Sequence, residues 1–159
     1  MKQNQFKLAE KIIASLDKNN LSVCTAESCT GGGIAKALTD VPGCSKVFDG
    51  GIIAYSNDIK CRLIGVDSKI IEIFGAVSKE TAIEMAKKNA GIFKTDFAVA
   101  STGIAGPAGG TKDKPVGTVW LAVLARKKII TEKNIFAGNR EEIRKQTVSR
   151  ALELILKEI

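Results

Sequence analysis

Apolar residues return at helical spacing near both ends of the chain and gather into short runs between. From residue 4 to 17, Phe6, Ala9, Ile12, Ile13 and Leu16 recur every three or four positions, with lysine and glutamate between them. That period predicts an amphipathic helix with those five residues facing inward. "LSVCTAE" (21–27) reads as a short buried strand, followed by a glycine-rich turn and a helix near 32–39. "KVFDGGIIAYS" (46–56) is a second strand, whose glycine pair suggests a bulge or a close backbone approach. Short helical pieces follow near 57–64 and 67–74. Ser78 then caps a helix over 79–92 that turns Ala82, Met85 and Ala86 inward.

"DFAVASTG" (96–103) is a buried strand, and "VGTVWLAVLAR" (116–126) with "KKIITEKNIFA" (127–137) forms a hairpin. In "NREEIRKQTVSRALELILKEI", Asn139 and Glu142 have capping-box spacing, and Ile143, Thr147, Ala151, Leu152 and Ile155 form a buried stripe. Helices alternating with strands predict an α/β fold, a three-layer α/β/α sandwich with a mixed, mostly parallel sheet. The hairpin keeps that sheet from being wholly parallel. The length suits one domain over 1–159.

Composition narrows the chemistry. The chain has no histidine, which removes every Ser-His-Asp or Cys-His triad within one chain and the commonest zinc ligand sets. The four cysteines, at 24, 29, 44 and 61, have no C-x-x-C spacing. A net charge of +7 suits small anionic ligands or nucleic acid. No run of five like charges occurs, and the lysines are not interleaved with aromatics, so a nucleic-acid surface is not favoured. No apolar run approaches a membrane span. The first twenty residues lack the apolar centre of a signal peptide, which points to a cytoplasmic protein.

Three stretches carry candidate chemistry. "TAESCTGGGIAKALTD" (25–40) sets Glu27, Ser28, Cys29, Thr30, Gly31 and Gly32 before a helix. It is open to three readings: a nucleophile at Ser28 or Cys29, a phosphate cradle on free backbone N–H groups, or a plain helix entry. "STGIAGPAGGTKDKPVGT" (101–118) puts Thr102, Gly103 and Gly106 at a strand end, where α/β sheets gather ligands. "GCSKVFDGGIIAYSNDIK" (43–60) places Ser45, Tyr55 and Lys60 around one strand. Without histidine, a Ser–Lys arrangement is the natural hydrolase chemistry, and it requires a lysine made neutral by burial or by a cation such as Arg140 or Arg144.

"TAESCTGG", "GAVS", "STGIAGPAGG", "KPVGTVW" and "FAGNRE", in this order, resemble the CinA C-terminal domain family, also described as nicotinamide-nucleotide amidohydrolases. The resemblance implies hydrolysis of the carboxamide of nicotinamide mononucleotide to nicotinate mononucleotide and ammonia, with no metal and no cofactor. It implies a homodimer or higher homo-oligomer with pyridine nucleotide as partner; the composition favours neither nucleic acid nor membrane as partner, although the family's competence label suggests the former. The chain resembles a stand-alone form of a domain often fused to an N-terminal partner. Carried over, the nucleophile lands on Ser45, the general base on Lys60 and its supporting tyrosine on Tyr55. The strand-end hydroxyl lands on Thr102 and the arginine on Arg140. Glu27, Ser28, Thr30, Gly31, Gly32, Gly103 and Gly106 are then substrate-binding candidates, and Cys44 is a rival nucleophile. The alternative is a catalytically silent nucleotide-binding module of the same family.

Overall fold

The computed structural model describes residues 2–159, with side chains from Gln3 onward. Helix α1 (Lys2–Lys18) leads into β1 (Val23–Glu27), α2 (Gly33–Thr39), a 3-10 turn (Cys44–Lys46) and β2 (Phe48–Ile53). Then come α3 (Asn57–Ile59), a π-helical turn (Lys60–Ile64), α4 (Ser68–Phe74) and α5 (Lys79–Phe93). The chain closes with β3 (Phe97–Gly103), β4 (Thr118–Ala125), β5 (Lys128–Ile135) and α6 (Arg140–Glu158). The sheet order is β2-β1-β3-β4-β5. β1 runs parallel to β2 and β3, while β3–β4 and β4–β5 are antiparallel. The sheet is therefore mixed and mostly parallel in strand direction: β1, β2, β3 and β5 run one way, and β4 runs against them.

Strand alternation divides the core in two. Val23, Phe97, Val99, Val119, Leu121 and Val123 face α1, α2 and α6 with Ile12, Leu16, Ile34 and Leu152. Cys24, Ala26, Ala98, Ala100 and Ala122 face α5, with Met85, Ala86, Ile64 and Val66. The small strand residues on that second face let α5 approach closely. The helix ends follow the expected chemistry. Ser78 Oγ accepts from Thr81 N–H at 3.1 Å, and Asn139 and Glu142 form a reciprocal capping box. The glycine pair of β2 does mark a bulge, since the register slips between Val23↔Phe48 and Cys24↔Gly50. Phe6 departs from the expected inward stripe: it is 39% exposed. Among the described residues no helix is long and apolar enough to cross a membrane.

Candidate active site

β1 and β2 are parallel, so their carboxyl ends lie together, and β3 ends beside them. Ser28 follows β1 and extends its ladder by donating its N–H to Ser101 O at 2.9 Å. Cys24 and Ala26 face α5, so alternation turns Ser28 the same way, and Thr102 shares that face with Ala98 and Ala100. Lys60 arrives from beyond β2. Ser56 caps α3 by accepting from Ile59 N–H, and the turn that follows is π-helical, closed in part by Val66 N–H to Lys60 O at 3.1 Å. Such turns often occur at functional sites. Here it carries the Lys60 side chain inward with its neighbours Ile59, Ile64 and Val66.

The result is a buried pair. Lys60 Nζ lies 3.1 Å from Ser28 Oγ, with Lys60 2% and Ser28 8% exposed. No carboxylate among the described residues forms an ion pair with Lys60. Burial holds its pKa below the ordinary lysine value, opposed by the neighbouring Cys29 and Cys61. Arg140 and Arg144 are engaged elsewhere. Burial pushes the Cys29 thiol up to about 12, so it stays protonated and is a poor nucleophile beside Ser28.

Ser45 is not brought to Lys60, which corrects the pairing expected from the resemblance. It lies exposed in the 3-10 turn before β2, next to the amino end of β1, where Val23 N–H donates to Val47 O. The span from Val23 to Ser28 is about 16 Å at roughly 3.3 Å per residue, so Ser45 and Lys60 lie at opposite ends of the sheet. Cys44, beside it, is remote for the same reason.

Tyr55 does not reach Lys60 either, since its phenol accepts a hydrogen bond from Arg140 Nη2. Arg140 Nη1 also donates to Gly106 O at 2.8 Å, tying α6 to the loop after β3. Thr102 Oγ1 donates to Ala76 O at 2.7 Å and pins the loop between α4 and α5 over the strand ends. Gly103 is the last residue of β3.

The turn after β1 is built differently from a phosphate cradle. Glu27 is fully buried, with Oε2 accepting from Ile34 N–H at 3.0 Å and Oε1 from Ala35 N–H at 2.7 Å. A carboxylate already occupies the positive end of α2. Glu27 is thus a helix cap reaching across from the strand, and both its oxygens are taken, which corrects its assignment to substrate. Gly31 and Gly32, at φ 59° and 90°, make the left-handed turn that lets the chain double back onto that cap. Thr30 Oγ1 lies 2.7 Å from Ser101 Oγ, and Arg144 Nη2 donates to Thr30 O at 2.7 Å. Ser101 was missed from sequence, although its place beside Thr102 at a strand end was a signal.

Losing the Glu27 carboxylate orphans two helix N–H groups, each worth about 1–3 kcal/mol when buried. Glu27→Ala should therefore lower unfolding free energy by about 3 kcal/mol in urea titration, with Glu27→Gln intermediate. A change within about 0.5 kcal/mol for the alanine variant, the range of an inert surface site, would show the cap to be idle.

Taken together, these elements define a three-layer α/β protein with a buried Ser–Lys pair at the carboxyl ends of its parallel strands. Among the described residues no cluster of three or more His, Cys, Asp or Glu side chains could hold a metal ion. The chain belongs to the CinA family, for the CinA C-terminal domain matches residues 5–159. It is 50% identical over 136 residues to a CinA-like protein of Thermosipho melanesiensis, covering 84% of this chain and 34% of that one. A second CinA-like protein, from Endomicrobium trichonymphae, is 44% identical over 164 residues, covering all of this chain and 38% of the relative. The chain thus spans little more than a third of these relatives. Among solved structures, the competence/damage inducible protein CihA of Agrobacterium tumefaciens superposes with a TM-score of 0.95 at 44% identity, covering 98% of this chain and 95% of that one. A CinA superfamily protein of Escherichia coli gives 0.94 at 32% identity, covering 98% and 90%.

Proposed function

We propose that this protein hydrolyses the carboxamide of a pyridine mononucleotide, nicotinamide mononucleotide first, releasing ammonia, and so serves pyridine nucleotide recycling. The observation that carries this reading is the 3.1 Å contact between Lys60 Nζ and Ser28 Oγ inside a buried site. Neutral Lys60 takes the Ser28 proton, and Ser28 Oγ adds to the amide carbon. In the 28–32 turn, the N–H groups of Thr30 and Gly32 have no acceptor among the described residues and are available to the resulting oxyanion. The lysinium protonates the departing nitrogen, the C–N bond breaks, and ammonia leaves an ester on Ser28. Water, deprotonated by the same lysine, cleaves that ester to the carboxylate and restores the serine.

The support for the amide comes from the Ser–Lys chemistry, and the support for the nucleotide comes from the motif resemblance together with the basic surface. The test is ammonia release across a panel of nicotinamide mononucleotide, nicotinamide riboside, nicotinamide and the dinucleotide. Release from the mononucleotide, with nicotinate mononucleotide as co-product, is expected. Nucleotide binding without ammonia release would favour the silent module.

A further inference from the structure

A groove of about 970 Å³ runs between the amino-terminal end of α1, α2 and α6. Its size is at the upper end of the roughly 300–1,000 Å³ that small-molecule sites occupy. Phe6, Ala37 and Val148 contribute apolar floor, while Ser28, Lys60 and Tyr55 do not line it. This explains why Phe6 is left partly open instead of joining the inward stripe of α1.

The charges at its rim do not cancel. Lys36 is matched by Asp40 at 2.7 Å, and Lys145 is paired with Glu141. Arg140 and Arg144, four residues apart and so on one face of α6, line the same groove. Their hydrogen bonds go to neutral groups: Arg144 to Thr30 O, and Arg140 to Gly106 O and the Tyr55 phenol. No carboxylate of the described residues forms an ion pair with either. A guanidinium has five N–H donors, so both retain donors for a further acceptor. The end of α6 does not supply this charge, because its capping box is closed by Asn139 and Glu142.

We propose that this groove binds a nucleoside monophosphate, its phosphate on Arg140 and Arg144 and its ring on Phe6 and the apolar floor. Two guanidiniums match the charge of about −1.5 to −2 on a phosphomonoester near neutral pH, and their forked geometry suits its oxygens. The groove also has a route to the nucleophile. Arg144 holds Thr30 O, Thr30 Oγ1 contacts Ser101 Oγ, and Ser101 O accepts the Ser28 N–H. An anion that draws Arg144 away from Thr30 would change the hold on the Ser28 turn.

AMP is the probe, measured by titration calorimetry on the full chain at low salt, with adenosine as the uncharged control. One AMP per chain is expected, with adenosine at least about tenfold weaker. Arg144→Gln and Ala37→Phe should each weaken AMP about tenfold or more. The second variant fills the groove and leaves the Arg144 bond to the Ser28 turn in place, and thermal melts establish that both fold. No binding at millimolar AMP, or unchanged affinity in both variants, overturns the proposal. The kinetic arm identifies the source of the phosphate. AMP that raises only KM for the mononucleotide means that the groove holds the substrate's own phosphate, whereas a changed kcat means a separate effector. Because binding is read without turnover, it decides the groove even if the amidase reading fails.

Discussion

Ser28→Ala should reduce ammonia release from nicotinamide mononucleotide by about 10³-fold or more, while Ser45→Ala stays within about twofold of the parent. Losses of that order accompany removal of a covalent nucleophile, because what survives is binding and oxyanion stabilisation alone. The fold should tolerate the change. Among the described residues the side chain of Ser28 bonds to Lys60 alone, and its structural bond, N–H to Ser101 O, is main-chain and persists in alanine. Cys29 is no substitute nucleophile, with its thiol held protonated by burial. An intact-mass experiment on enzyme quenched during turnover adds a direct readout, since the acyl adduct should map to the peptide carrying Ser28. Near-normal turnover in Ser28→Ala together with collapse in Ser45→Ala would return the nucleophile to Ser45 and leave the buried pair without a catalytic role.

The choice between those serines was within reach of the sequence, but only through topology. Ser28 lies 32 residues and Ser45 15 residues before Lys60, and both sit in small-residue turns, so residue type favours neither. The deciding fact is direction. If β1 and β2 are parallel with α2 crossing between them, the residue after β1 and the residues after β2 gather at one end, and the residue before β2 is left at the other. The periodic helices, the Ser78 cap, the Asn139–Glu142 box and the bulge in β2 are local features that a few neighbouring residues decide, and they were legible. Glu27 was misread because a carboxylate in a glycine-rich turn suggests a ligand. Strand parity, which puts its neighbours Cys24 and Ala26 on the α5 face, sends it instead to α2. The π-helical turn had no signal at all. Lys60 looks like a surface lysine in "NDIKCRLIG", and only the extra residue per turn, packed with Ile59 and Ile64, takes its side chain inside.

That burial makes Lys60→Met the most informative single substitution: it should yield a more stable protein that has lost its activity. Burial lowers the Lys60 pKa from its ordinary 10.5, so the native state disfavours the charged amine and the unfolded state does not. The sign of the linkage follows from proton counts. Below the folded pKa both states hold the proton, and the cost of burying the charge is fully present. Between the folded pKa and 10.5 the unfolded chain binds more protons, so native stability climbs with pH; above 10.5 it levels. Methionine fills similar space without a charge, so the variant should melt higher than the parent at acid pH, with the difference narrowing as pH rises through that window. The same neutral amine is the base, so parental kcat/KM should rise with pH up to the folded pKa. The methionine variant should lose about 10³-fold or more and show no such limb. A structural lysine would behave in the opposite way, with lower melting and activity falling only as far as folding does. Retained turnover, or a melting point below the parent at acid pH, would each separate Lys60 from the chemistry assigned to it.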